Sequence, residues 1–239
     1  MKIDYNILSK VDHTNLKVDA TDKEILQLCD EAIKYRAASV CVAPGRVAFV
    51  RDYFDSKRYE CEYIPNICTV IGFPNGYSTT LTKVYEATDA INNGADELDV
   101  VININDLKNK RYENIESELL YLSFISHDLR PKSCRKVVKV IIEACLLTDD
   151  EKRKMCEICL AAGVDYIKTS TGFSTGGATL EDVKLFKETI GDRPLKIKAA
   201  GGMSGYADAV AFVEAGADRL GTSRVIKELE NDNNSKSTY

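Results

Sequence analysis

Three stretches of the chain are near-copies of one another: NGADELDV (93–100), AGVDYIKT (162–169) and AGADRLGT (215–222). Each sets a glycine after a helical pattern, leaves a short link and opens an apolar run, as when a capped helix end feeds a β-strand. Further apolar runs bounded by turn residues bring the candidate strands to eight: 11–15, 39–43, 68–73, 97–103, 137–144, 166–171, 195–200 and 219–223. Helical periodicity fills the gaps, as in TDKEILQLCDEAIKYRA, with Thr21 or Asp22 as N-cap, and LTKVYEATDAINNGA, with Thr82 as N-cap. Eight βα units in 239 residues predict an α/β chain folded as a single-domain (β/α)8 TIM barrel. An open doubly wound sheet is the alternative, and it fits less well because no G-x-G-x-x-G follows the first strand. The barrel is expected over residues 1–228, with 229–239, polar and without periodicity, as a flexible tail.

Composition narrows the function classes. With 44% hydrophobic and 29% charged residues and a net charge of −5, the chain has the profile of a soluble globular protein. No long basic run invites nucleic acid, and no apolar run is long enough for a membrane helix. The N-terminal MKIDYNILSKVDHTNLKVD lacks the apolar core of a signal peptide, and the eight cysteines are scattered, so reduced thiols in a cytoplasm are expected. Cys156 and Cys159 have CxxC spacing, but DDEKRKMCEICLAAG reads as a helix that buries both on one face. Packing is the expectation there, rather than metal or redox chemistry.

Alternation along the strands separates barrel-facing from helix-facing residues. Leu98, Val100 and Ile102 should meet the helices, leaving Glu97, Asp99, Val101 and Asn103 inside. By the same count Lys139, Ile141 and Glu143 point inward, with Tyr166, Lys168 and Ser170, and with Lys196 and Lys198. Barrel interiors are normally filled with branched apolar side chains, and buried charges are costly unless paired. A network of ion pairs that only holds the barrel shut is one reading. The other is catalytic, because Lys168 and Lys198 fall near the C-terminal strand ends, where barrel enzymes work.

A lysine is nucleophilic only when its pKa falls from about 10.4 toward neutrality, through desolvation or a neighbouring like charge. Two inward lysines on adjacent strands supply both: one attacks a carbonyl as a neutral amine while the other stays charged, and Asp99 is placed to move protons. The glycine-rich turns STGFSTGG, AAGGMSG and GTSR after strands 6 to 8 offer backbone N–H groups for a phosphate. The expected chemistry is Schiff-base formation on a small phosphorylated carbonyl compound.

YIKTSTGFSTGGAT, KIKAAGG, ADELDVVIN and VDHTNL, in order over residues 8–228, closely resemble the deoxyribose-phosphate aldolase family. The resemblance implies a (β/α)8 barrel that reversibly cleaves 2-deoxy-D-ribose 5-phosphate to D-glyceraldehyde 3-phosphate and acetaldehyde, with neither metal nor organic cofactor. It implies that Lys168 forms the Schiff base, that Lys198 tunes it and that Asp99 relays protons. Asp12, Thr14, Cys41 and Thr171 would line the pocket, Lys139 would support the charges, and phosphate would rest on Gly172, Gly201, Gly202 and Ser223. The chain has Phe173 where some members carry a phosphate-contacting lysine, with Arg224 as a substitute. Lys196 is expected deeper, as a structural or ion-paired lysine. Tyr239 at the chain end would fold back over the pocket as a proton relay, and a homodimer is the assembly considered. Two other readings stay open: a Schiff-base aldolase for a different aldehyde, and a silent barrel that only binds a sugar phosphate.

Overall fold

A computed structural model describes residues 4–127 and 134–236. Eight parallel strands close into a barrel in sequence order. They are β1 Val11–Asn15, β2 Ser39–Val42, β3 Asn66–Ile71, β4 Glu97–Val101, β5 Val137–Ile141, β6 Tyr166–Lys168, β7 Lys196–Ala200 and β8 Arg219–Thr222. Around them run α1 Tyr5–Leu8, α2 Asp22–Lys34, α3 Val47–Lys57, α4 Thr80–Asn92, α5 Ile104–Lys108 and α6 Tyr112–His127. The ring is completed by α7 Asp149–Ala161, α8 Leu180–Ile190, α9 Tyr206–Glu214 and α10 Val225–Lys236.

Period-two alternation divides the interior in two. The outward set, including Val40, Leu98, Val100, Val140, Ile167 and Leu220, joins the inner faces of the helices in one large apolar core. On α7 that face contains Cys156 and Cys159, both fully buried, and burial pushes the Cys156 thiol up to about 12. The inward set has a small apolar cluster, Cys41, Cys68 and Val70, with Val101 and Ile141 nearer the rim, and an ionic network occupies the middle of the barrel. Each aliphatic side chain buried on the outer layer contributes roughly 1.5–3 kcal/mol, so that layer stabilises the barrel while the inside is free to carry charge.

The three repeated junctions have a second device besides glycine. Gly94, Gly163 and Gly216 take positive φ just past their helices, the conformation that glycine adopts without a Cβ penalty. Two residues on, Asp96, Asp165 and Asp218 each give a backbone N–H to, and accept a side-chain hydrogen bond from, one residue at the start of the preceding strand. These residues are Ile67, Val138 and Ile197. The same reciprocal clamp therefore ties β3 to β4, β5 to β6 and β7 to β8.

Several strand and cap limits differ from expectation. Strands β4, β5 and β6 stop at 101, 141 and 168, because the chain turns as it leaves the barrel rim. Asn103, expected inside, instead caps α5, its side chain accepting from the Asn105 N–H. Thr21 forms a full capping box with Glu24 at the start of α2. The α4 cap is Thr79 rather than Thr82: the Thr79 hydroxyl accepts the Thr82 N–H. The segment from residue 229, read as a tail, continues α10 as far as Lys236. Tyr239 lies outside the described residues.

Candidate active site

Asp99 is the hub of the barrel interior. Strand β4 aims it inward, and register sets it beside Lys139 on β5. Its Oδ1 accepts from Lys139 Nζ at 2.8 Å and Cys68 Sγ at 3.2 Å. Its Oδ2 accepts from Lys168 Nζ at 2.7 Å and Lys198 Nζ at 2.6 Å. Lys168 on β6 and Lys198 on β7 are themselves register partners, so the two ammonium groups reach one oxygen from adjacent strands.

A lower tier carries the balancing charges. Lys198 Nζ also meets Asp12 Oδ2 at 2.5 Å, and Lys139 Nζ meets Glu97 Oε2 at 2.6 Å. Arg219, on β8, bridges Asp12 at 2.6 Å and Glu97 at 3.2 Å, and Ser39 donates to Asp12 at 2.7 Å. Four cations (Lys139, Lys168, Lys198, Arg219) thus face three carboxylates (Asp12, Glu97, Asp99). Lys168 has the smallest share, a single oxygen that it divides with Lys198.

The protonation states follow from this arrangement. Burial alone would push the Asp12 and Asp99 carboxyls up, but the surrounding ammonium and guanidinium groups outweigh it and hold both below the usual carboxylate range. Burial opposes the Lys198 ammonium too, yet Asp12 and Asp99 prevail and raise its pKa above the ordinary lysine value. Lys198 keeps its proton.

Above the network lies a cleft of about 330 Å3 at the C-terminal end of the barrel. Lys168 reaches it, together with Thr14, Thr171, Gly172, Gly201, Gly202, Ser223 and Arg224. Gly201 and Gly202 leave β7 with φ of 73° and 77°. Gly177 packs on them so closely that a Cβ there would sit 2.6 Å from the Gly202 nitrogen. Glu143, at a left-handed φ of 50°, fixes the opposite wall: it accepts the Thr171 N–H at 3.2 Å and, at closer range, the Thr171 hydroxyl. That hydroxyl in turn accepts the Phe173 N–H at 3.0 Å.

Of the residues expected at the site, Asp12, Cys41 and Lys139 do not line the cleft. They lie fully buried beneath its floor, because their strand positions are closer to the barrel centre than the rim. Lys196 sits at the other mouth of the barrel, exposed and 5.6 Å above the Tyr166 ring, with no buried ion pair. Arg219 and Cys68 are members of the network that the sequence did not single out. Alternation extended to RLGTS is the signal that finds Arg219, the register partner of Lys198. Lys17 and Lys227, both exposed, complete the basic rim.

Comparison with known proteins gives the same picture. The family model for DeoC/LacD family aldolases matches residues 6–223. The chain is 53% identical over 227 residues to deoxyribose-phosphate aldolase of Clostridioides difficile, covering 95% of this chain and 97% of that one. It is 45% identical to the Thermococcus gammatolerans protein of the same name, covering 97% and 98%. A solved deoxyribose phosphate aldolase from Aeropyrum pernix, described as tetrameric, superposes with a TM-score of 0.83 at 30% identity, covering 95% and 92%. With Lys168 and Lys198 sharing Asp99 beneath the cleft and this likeness along nearly its whole length, the chain belongs to the DeoC/LacD family of aldolases.

Proposed function

We propose that the chain is a class I aldolase that reversibly cleaves 2-deoxy-D-ribose 5-phosphate to D-glyceraldehyde 3-phosphate and acetaldehyde. The observation that carries this reading is the sharing of Asp99 Oδ2 by Lys168 and Lys198, with Lys168 alone of the two open to the cleft. Lys168 gives a proton to the Asp99 side and attacks the C1 aldehyde of the open-chain sugar. Loss of water leaves an iminium whose positive charge replaces that of the ammonium opposite Asp99. The C3 hydroxyl then loses its proton as the C2–C3 bond breaks, releasing glyceraldehyde 3-phosphate and leaving an enamine on Lys168. Protonation at C2 and hydrolysis release acetaldehyde, with Asp99 relaying protons and Lys198 staying charged throughout.

Phosphate is held by the turns at Gly172, Gly201–Gly202 and Ser223, with Arg224 on the rim supplying charge where Phe173 supplies none. Thr14 and Thr171 line the carbon chain, and Asp12 and Lys139 keep the network in register from below. No metal or organic cofactor takes part, and the enzyme works in the cytoplasm, where its thiols stay reduced.

Borohydride trapping with acetaldehyde, followed by peptide mass mapping, tests the assignment. A reduced ethyl adduct on Lys168, absent in Lys168→Ala, is the expected result. An adduct on Lys139, Lys196 or Lys198 instead overturns it.

A further inference from the structure

Two thiols stand side by side under the cleft floor. Cys41 on β2 and Cys68 on β3 are register partners. Neighbouring strands lie about 4.8 Å apart, inside the Cα separation of about 4.4–6.8 Å that a disulfide spans. The two Sγ atoms and an Asp99 oxygen all fall within 4.8 Å of one another. The thiols form a small cluster with Val70, and Leu16 packs against it while also forming part of the cleft wall. Phe73 packs against the same cluster, and both thiols are buried, so a small reagent must displace Leu16 or Phe73 to reach them.

Two sulfurs and an oxygen resemble a partial metal-ligand set. Asp99, however, already meets three ammonium groups at 2.6–2.8 Å, so an added cation would face like charge at close range. Oxidation of the two thiols leaves the net charge unchanged. We propose that Cys41 and Cys68 form an oxidation site: a peroxide converts them to a disulfide that disables the Asp99 network until a dithiol reduces it.

The step balances. The Cys41 thiolate attacks a peroxide oxygen, giving a sulfenic acid and hydroxide, and Cys68 then attacks the Cys41 sulfur. Hydroxide leaves with the Cys68 proton as water, so two thiols and one hydrogen peroxide yield one disulfide and two waters. The thiols differ in the direction these roles need. The adjoining Cys68 and the Lys198 and Lys168 charges hold the Cys41 thiol below its ordinary value despite burial, whereas burial raises Cys68.

The consequence for the site is geometric. Cys68 Sγ lies 3.2 Å from Asp99 Oδ1 and 3.3 Å from Lys139 Nζ. Closing to the disulfide length of about 2.05 Å draws it toward Cys41. Asp99 then loses its thiol donor and Lys139 its sulfur neighbour, in the layer directly beneath Lys168.

The test treats the full chain with hydrogen peroxide, alkylates remaining thiols and maps peptides. The expected result is a mass loss of about 2 Da per disulfide, with a cross-linked peptide pair carrying Cys41 and Cys68. Turnover of 2-deoxyribose 5-phosphate should fall about tenfold, as for loss of a hydrogen bond to a charged group, and dithiothreitol should restore it. Cys68→Ala, and independently Cys41→Ala in case the first folds poorly, should form no link and lose no turnover relative to their own untreated rates. Cys41 recovered unlinked, or joined to any other cysteine, overturns the site. A link without loss of turnover overturns the switch. The turnover arm rests on the aldolase reading, and the mapped bond does not, so an untreated enzyme inactive on this sugar counts against that reading alone.

Discussion

Lys168 and Lys198 donate to the same carboxylate oxygen, Asp99 Oδ2, at 2.7 and 2.6 Å. Two ammonium groups on one oxygen repel each other, and only Lys198 has a second carboxylate, Asp12, to offset the repulsion. Lys168 therefore has no carboxylate oxygen to itself, and that asymmetry is the geometric basis for proposing it as the lysine that reacts.

Lys198→Leu removes that pressure and equalises the count at three cations and three carboxylates. Lys168 then holds Asp99 Oδ2 alone, without a neighbouring ammonium to repel it. Turnover at neutral pH should fall by about two orders of magnitude or more, since correct protonation of such groups is typically worth 10²–10⁴-fold. Undiminished turnover would show that Lys198 only fills space.

Phe173 is 57% exposed at the cleft edge, packed edge-on against Phe73 with centroids 5.1 Å apart. Phe173→Lys places a flexible cation beside the phosphate turn. KM for the phosphorylated sugar should fall about 1.5-fold to fivefold at low salt, the range of an exposed ion pair, and the gain should shrink as ionic strength rises. KM for unphosphorylated deoxyribose should not move. Equal effects on both sugars would remove phosphate from this rim.

Asp12 sets an acid limit on stability. Its carboxyl is held below its unfolded value by Lys198, Arg219 and Lys139, against the effect of burial. Below an unfolded pKa of about 3.9 the unfolded chain binds the extra proton, so this stabilisation is complete above that pH and is lost as the pH falls further. Melting temperatures of wild type should drop steeply as the pH falls below about 4, the unfolded value. Asp12→Asn, less stable throughout, should show a shallower drop. Parallel slopes would contradict the assignment.

Outside the barrel, Lys83 on α4 and Glu118 on α6 form a buried pair at 2.6 Å, and Lys83 also donates to the Val101 carbonyl at the end of β4, the strand that carries Asp99. Lys83→Met leaves Glu118 buried without its ammonium partner and should cost about 3–5 kcal/mol by denaturant unfolding. The double variant Lys83→Met with Glu118→Leu should recover most of that loss. No recovery would mean that the contact to Val101, rather than the charge, is what matters.

Strand alternation made the ionic interior legible, because a period-two pattern has only two faces and the apolar one declared itself in Leu98, Val100 and Ile167. The same logic fails at strand ends. Lys196 shares a face with Lys198 but opens β7 at the opposite mouth of the barrel, where it meets solvent, and Asn103 and Glu143 lie just beyond strands that have already ended. Cys68 was hidden inside an apolar run, since its part depends on a neighbour 31 residues away in sequence. Lys17 and Lys227 belong to no strand, so nothing periodic points them at the cleft. Polarity concealed the end of α10, whose helix continues through a stretch with little apolar content.

The aspartate clamps divide the barrel into quarters. Strands β3–β4, β5–β6 and β7–β8 are each closed on themselves by Asp96, Asp165 or Asp218, while β1–β2 has Ala38 at the corresponding place, after Arg36 in a left-handed conformation. The first quarter alone is bound to its neighbours without that internal tie, and it contributes Asp12, Thr14 and Cys41. Circular permutants opened between quarters would keep every clamp, whereas a cut inside a quarter would separate its two strands in sequence. The pair without a clamp is thus the one whose departure would leave Lys198 with one carboxylate in place of two.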